Sequence, residues 1–333
     1  APDMTVVGEA RDGEEAIRLA ARLRPDIISM DIQMPRLDGL AATQRLMQEN
    51  PVPIVIVSSR LTRRHDEEVD LAFLALQAGA LAVLETPPNH RHADFPAQRD
   101  HFLSTLRAMA GVSVVRRWGK TGPLPARLVT PPSALALEEP PQVIAIGASA
   151  GGPVALYKIL GALPADFSVP IAVVQHMAEG FVEGMVRWLN GGTPLHVTQA
   201  QHGQIVRGGQ VVVAGSGAHL TLRRVGNEVR VVLTADRGDN PYLPSVDVLF
   251  ASVAENFGAQ AMGVLLTGMG ADGAQGLLAM RELGARTIVQ DQRSCLVYGM
   301  PGAAVSLGAA EQVVPLEQIA ATILDMSKIA SNG

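Results

Sequence analysis

Two doubly wound α/β domains, each built on a parallel sheet, are the fold class that three features of this 333-residue chain predict. Short apolar, β-branched runs such as Ile27 to Met30, Ile54 to Val57, Val143 to Ile146 and Val169 to Gln175 alternate with stretches patterned as helices. Each run stops abruptly in small or polar residues, as buried parallel strands do where they pass into loops. Between residues 112 and 141 the alternation gives way to Pro123, Pro125, Pro131, Pro132, Pro140 and Pro141, which preclude a regular helix and favour a semi-stiff spacer. The expected organisation is therefore a domain over 1–111, a linker over 112–141 and a second domain over 142–330.

Composition narrows the function classes. Hydrophobic residues make up 47% of the chain, yet no apolar run approaches the about 20 residues needed to cross a bilayer, so these residues belong in packed sheets and membrane insertion is not expected. A net charge of −5 without a basic stripe argues against nucleic acid as the main partner. Arg116 and Arg117 in the linker read as a solvated patch. One cysteine, Cys295, excludes an internal disulfide framework and fits a reducing cytoplasm; in its apolar context it reads as inert core rather than a reactive thiol. Early acidic residues and the lack of an apolar h-region give the N-terminal stretch no likeness to a signal peptide.

In the first domain, Met4 to Val7 reads as a strand and Asp12 to Leu23 as a helix, with Asp12 at the cap and Ala16, Leu19, Ala20 and Leu23 on one face. Ile27 to Met30 then delivers Asp31 to the carboxyl end of a buried strand, before a helix from Leu40 to about Glu49. Ile54 to Val57 ends in Ser58, and a helix from about Glu67 to Ala78 follows. Ala80 to Leu84 ends at Thr86-Pro87-Pro88, and Phe95 to Ala110 closes the region as a helix. Functional residues of such sheets gather at the carboxyl ends of the strands, where Asp31 and Ser58 would meet. Asp31 alone could equally begin a turn.

The residues DIQMPRLDG at Asp31 to Gly39, with Ser58 at the next strand end, resemble the phosphoacceptor region of bacterial response-regulator receiver domains. The resemblance implies a flavodoxin-type sheet, Asp31 as the phosphorylated carboxylate, Ser58 as the hydroxyl that senses the phosphoryl group, and a chemotaxis histidine kinase as phosphodonor. This chain departs from the pattern in three ways. It starts at what looks like the receiver's second strand, so the first strand and its Mg²⁺-binding acidic pair are missing from the reading. Thr86 stands where receivers carry a Lys, and Val83 where they carry an aromatic switch residue. Phosphoryl transfer to an aspartate depends on metal and Lys neutralising the phosphoryl oxygens. A half-domain that packs poorly or rearranges, and an Asp31 that is a poor acceptor, are the expectations.

The second domain opens on VIAIGASAGGP, Val143 to Pro153. Gly147, Ala148, Ala150, Gly151 and Gly152 strip bulky side chains from around Ser149, as a tight strand-to-helix turn requires when a substrate carbonyl must approach. Pro153 suits the first turn of the following helix, whose positive end would face the serine. Gly147-x-Ser149-x-Gly151 fits a nucleophile elbow; a small-residue packing turn or a phosphate-binding loop would use the same residues. His176 stands at the end of the strand Val169 to Gln175 and precedes a helix ending near Asn190. From His196 to Thr234 the runs Val211 to Val213, Leu220 to Leu222 and Val229 to Leu233, separated by glycine-bearing turns, predict antiparallel hairpin strands at one edge. Asp272 lies in MGVLLTGMGADG, Met262 to Gly273, where it either orients an imidazole or caps the helix beginning near Gly273. The remaining histidines, His65, His90, His92, His101, His196, His202 and His219, lack metal-ligand spacing, and no metal site is read.

IAIGASAGG, VVQHMAEGF, PSVDVLF, LLTGMGADGAQGL and SCLVYGMP, in that order between Pro141 and Leu316, resemble the catalytic domain of the chemotaxis protein-glutamate methylesterases. The resemblance implies Ser149 as nucleophile, His176 as general base, Asp272 as orienting carboxylate and the backbone N–H of Met269 as oxyanion donor. It implies hydrolysis of glutamate γ-methyl esters on the cytoplasmic domains of methyl-accepting chemoreceptors through an acyl-serine, with release of methanol, and glutamine deamidation at the same positions. No cofactor is implied for hydrolysis. Ala150 stands where the family commonly has Thr, and Asn240, Pro241, Tyr242 and Leu243 where it often has basic residues. Two other readings share these motifs: a receiver-linked serine hydrolase acting on another protein of a chemosensory pathway, and a non-enzymatic signalling module.

Overall fold

The computed structural model describes residues 1–58, 66–92, 95–112, 114, 140–177, 180–238 and 240–327. His65 and most of the expected linker, with Arg116 and Arg117, lie outside the described residues. The chain divides into two compact units, Ala1–Leu128 and Val129–Gly333.

The first unit carries α1 (Gly13–Leu23), β1 (Ile28–Asp31), α2 (Gly39–Glu49), β2 (Ile54–Ser58), α3 (Asp66–Ala78), β3 (Ala82–Glu85) and α4 (Phe95–Ala110). Asp12 caps α1 by accepting from Glu15 N at 2.9 Å, and Glu14 and Glu15 complement the positive end of the helix. Asp38 does the same for α2 through Ala41 N at 2.8 Å. The three strands form one parallel sheet in the order β1-β2-β3, with Asp31 opposite Val57 and Ser58 opposite Glu85. β2 is central and buried along most of its length, whereas alternate residues of β1 are exposed, as fits an edge.

Met4 to Val7, expected as a strand, forms none; Val6 is 78% exposed and Val7 55%. A β-branched stretch becomes a strand only when its amides find a ladder. β1 pairs with β2 alone, and in the receiver order the stretch would not neighbour β1, so it has no partner among the described residues.

In the second unit β4 (Val143–Ala148), α5 (Gly152–Gly161), β5 (Ile171–Gln175), α6 (Phe181–Gly192), β6 (His196–Gln199), β7 (Ile205–Val206), β8 (Gln210–Val213), β9 (His219–Val225) and β10 (Glu228–Thr234) come first. They are followed by α7 (Val246–Phe257), β11 (Ala261–Leu265), α8 (Ala274–Glu282), β12 (Arg286–Gln290), α9 (Met300–Ser306), β13 (Gln312–Val314) and α10 (Leu316–Met326). Seven strands make one parallel sheet in the order β13-β12-β11-β4-β5-β8-β6. β4, β5, β11 and β12 are buried at every residue, which is why β4, β5 and β11 read as nearly continuous apolar runs, whereas β12 also buries Arg286, Thr287 and Gln290.

The hairpin expectation needs one correction. Val211 to Val213 belongs to β8, which pairs in parallel with β5 and β6 inside the main sheet. All three valines are buried, so no alternation marks them out from the strands of the parallel core. β9 and β10 do form an antiparallel hairpin, joined by β7 in a separate three-stranded sheet in the order β7-β10-β9. Leu220, Leu222, Val229 and Val231 on that sheet share a core with Val246, Leu249 and Val253 of α7. Burying each such side chain contributes roughly 1.5–3 kcal/mol before entropy is charged. The consequence is a firmly seated α7, whose N-terminus faces the loops at the carboxyl edge of the main sheet.

Candidate active site

β4 is where the main sheet changes direction: the chain runs outward through β5 on one side and through β11 on the other. Loops at such a switch point splay apart and leave a crevice at the strand ends. Ser149 directly follows β4, His176 directly follows β5, and Asp272 lies in the loop after β11. Ala148 pairs with Gln175 and Gly147 with Leu265, so the register brings the three loops together.

Backbone bonds fix the arrangement. His176 N donates to Ala148 O at 3.0 Å, and Ser149 N donates to Thr267 O at 3.0 Å. Buried Gln175 donates its amide to Ser149 O and to His176 O, each at 2.8 Å, clamping the two loops to one another. Thr267 Oγ1 lies 2.9 Å from Ala150 O and accepts from Val297 N at 3.0 Å. Gly151 caps α5 at φ +81°, where a side chain would also run into Leu296. At Gly268 a Cβ would sit 2.8 Å from Ser149 Cβ, so the loop carrying Met269 lies hard against the serine.

His176 Nε2 and Asp272 Oδ2 are 2.7 Å apart, with the imidazole 14% exposed and the carboxylate 2%. Asp272 does not cap α8: that cap is Gly273, which offers no side-chain bond. It faces the start of α7 instead, where Val246 N donates to Oδ2 at 2.7 Å, Asp247 N to Oδ1 at 3.1 Å and Ser245 Oγ to Oδ1 at 2.8 Å. Burial pushes the Asp272 carboxyl up, but the bond to His176, the imidazole's charge and the α7 amides outweigh it and hold the group below the usual carboxylate range. Its neighbour Asp247 moves the other way, raised by burial and by the Asp272 charge. The acid beside the histidine is thus the one whose ionised form its partners favour.

Ser149 Oγ and His176 are not joined by a hydrogen bond among the described residues; serine–histidine contacts of hydrolases are commonly long until substrate closes them. Tyr242, Ser245, Gln175 and Thr267 are site residues that sequence reasoning missed as such. Ser245 carried a visible signal as the cap before an apolar helix pattern, but nothing in the sequence ties it to Asp272. Tyr242 stacks on His176 with ring centroids 4.6 Å apart and planes 6° from parallel.

In the first unit, the sheet brings Asp31, Ser58 and Thr86 to the same carboxyl edge. Asp31 is exposed and accepts from Gln33 N at 3.1 Å, while Ser58 is buried. Thr86 donates its hydroxyl to Ser58 O at 3.0 Å, and residues 1–119 contain no lysine. Among the described residues no group of three or more His, Cys, Asp or Glu residues could hold a metal ion.

The model of the CheB methylesterase family matches residues 144–323, and that of the response regulator receiver domain matches residues 1–92. The chain belongs to the CheB methylesterase family. Its order of receiver then methylesterase, and its enzymatic class as a methylesterase, are those of that family. It is 44% identical over 322 residues to the protein-glutamate methylesterase/protein-glutamine glutaminase 4 of Myxococcus xanthus, an alignment covering 97% of this chain and 89% of that one. The protein-glutamate methylesterase/protein-glutamine glutaminase 4 of Geobacter metallireducens is 43% identical, with 98% and 93% covered. The crystal structure of the Thermotoga maritima CheB methylesterase catalytic domain superposes with a TM-score of 0.54 at 33% identity, covering 56% of this chain and 98% of that one. No helix among the described residues is long and apolar enough to cross a membrane.

Proposed function

We propose that this chain hydrolyses glutamate γ-methyl esters on the cytoplasmic domains of chemoreceptors through a Ser149–His176–Asp272 triad, in the cytoplasm, and deamidates glutamine at equivalent positions. The observation that carries the reading is the 2.7 Å bond between His176 Nε2 and a buried Asp272, one strand away from Ser149 in a turn of small residues. With Nε2 committed to Asp272, Nδ1 is the nitrogen left to take the serine proton. Ser149 Oγ attacks the ester carbonyl as its proton passes to Nδ1, and Asp272 stabilises the imidazolium. The carbonyl oxygen becomes an oxyanion, met by the backbone N–H of Met269 beside Ser149 and by the positive end of α5. Collapse returns the proton to the methoxy oxygen and releases methanol, leaving a glutamyl-serine ester. Water, deprotonated by His176, then cleaves that ester to glutamate and free Ser149. With glutamine the leaving group is ammonia, and the second half is the same.

No step passes through a metal. A non-enzymatic role is disfavoured because it gives no reason for a carboxylate to be buried and held ionised against His176. The test is methanol release from methylated chemoreceptor by the purified chain. Ser149→Ala should lose nearly all turnover, by a factor on the order of 10⁴ or more, at an unchanged melting temperature. Near wild-type turnover in that variant would remove Ser149 from the mechanism.

A further inference from the structure

We propose that Tyr242 is a positioning residue for the histidine base: its ring holds the His176 imidazole in plane and stabilises the cation that the imidazole becomes on taking the serine proton. The inference rests on the reading of Ser149, His176 and Asp272 as a triad. Asp272 grips the imidazole at one edge through Nε2, and a single bond along an edge leaves the ring free to tilt about it. A second aromatic ring lying 6° from parallel at 4.6 Å removes that freedom by covering one face. It also adds a term that appears only as the reaction proceeds, since an electron-rich face attracts a cation more than the neutral ring it came from. Asp272 would then stabilise the imidazolium in its plane and Tyr242 from above it.

Tyr242 is held well enough for this. Its backbone N–H donates to Asn240 Oδ1 at 2.9 Å. Arg237 closes the loop from outside by donating Nε to Asn240 O at 2.9 Å and its guanidinium to Pro241 O. On the other side Ser245 N donates to His219 Nδ1 at 3.2 Å, both residues being buried. Residues 240–245 are therefore a strap tied at both ends, with Tyr242 on the base and Ser245 on the acid. The Tyr242 hydroxyl has no hydrogen-bond partner among the described residues, so its ring makes the contact that matters.

Tyr242→Leu and Tyr242→Phe in the full chain separate ring from bulk. Two readouts are needed: steady-state methanol release from methylated chemoreceptor, and the rate at which a small fluorophosphonate labels the serine, which needs the base but no receptor. The expected result for Leu is a kcat lowered about tenfold at a nearly constant KM, with labelling slowed by a similar factor. Phe, which restores the ring, should recover both to within about threefold. Labelling rate is taken per labelled site, so partial unfolding lowers the final amplitude and leaves the rate intact. A Leu variant equal to wild type in both readouts, a Phe variant as slow as Leu, or a change confined to KM would each overturn the inference. Labelling that persists in Ser149→Ala would sink the triad itself, a result separate from any of these.

Discussion

Asp272 shows how one residue's role is decided by partners distant in sequence. It accepts from His176, Ser245, Val246 and Asp247, so its four lone-pair positions are all taken. Asp272→Asn keeps the shape but places an N–H₂ where donors already point, and removes the charge opposite the imidazolium. Methanol release should fall by about 10³–10⁴; a rate unchanged across neutral pH would reduce Asp272 to a structural group. Cys295 gives a second prediction at this scale. Burial, then the Asp291 charge, pushes its thiol up to about 12, so on the order of 10⁻⁴ of it is thiolate at pH 8. Iodoacetamide should modify it far more slowly than a free cysteine in the unfolded chain, and comparable rates would contradict the burial argument. The sequence placed Cys295 in inert core; the structure leaves it half-buried in the loop between β12 and α9, with its thiol pushed up by burial and the Asp291 charge. That Ser149, His176 and Asp272 gather at one sheet edge was legible because Ser149 and His176 each follow the end of an apolar strand and Asp272 lies in the loop after another. Tyr242 was not, because the contact that gives it meaning spans 66 residues of chain and crosses from one loop to another.

Elements were legible in proportion to how far their own residues determine them. Helices such as α1 and α2 announce themselves by a capping aspartate and an apolar face, and their observed starts fall within a residue of the reading. Strands depend on a neighbour, which is why Met4 to Val7 has the composition of a strand and not the structure, and why β8 was assigned to a hairpin although its partners are β5 and β6. The same dependence makes α7 more than scaffold. Its cap Ser245 donates to Asp272 while accepting from Val248 N at 3.4 Å, so one hydroxyl serves both the helix and the site. Ser245→Ala should cost about 1 kcal/mol of stability through the cap. It should also lower kcat several-fold, because Asp272 loses one of the donors that keep it ionised. A melting temperature that falls with kcat intact would confine Ser245 to the helix.

At the scale of the whole chain, the two units differ in how completely their chemistry is furnished. In the methylesterase unit Ser149, His176, the buried Asp272 and the loop carrying Met269 gather at one sheet edge, with His176 bonded to Asp272 and Gly268 packed against Ser149. In the receiver-like unit Asp31, Ser58 and Thr86 reach the same sheet edge, with Thr86 in the place where receivers carry a lysine. Thr86 occupies the lysine's place and spends its hydroxyl on Ser58 O, and residues 1–119 offer no other lysine. Three phosphoryl oxygens bearing about −2 in charge need cations to form on a carboxylate that is itself negative. The rate of methanol release from methylated chemoreceptor is therefore expected to be the same with and without a small-molecule phosphodonor and Mg²⁺, and Asp31→Ala should match wild type under both conditions. A several-fold activation by phosphodonor that disappears in Asp31→Ala would show that Asp31 is a working acceptor. Thr86→Lys supplies the complementary arm: if the missing cation is what limits acceptance, radiolabelled phosphodonor should mark Asp31 more heavily in that variant than in the parent chain, and equal labelling would place the limit in the metal site instead.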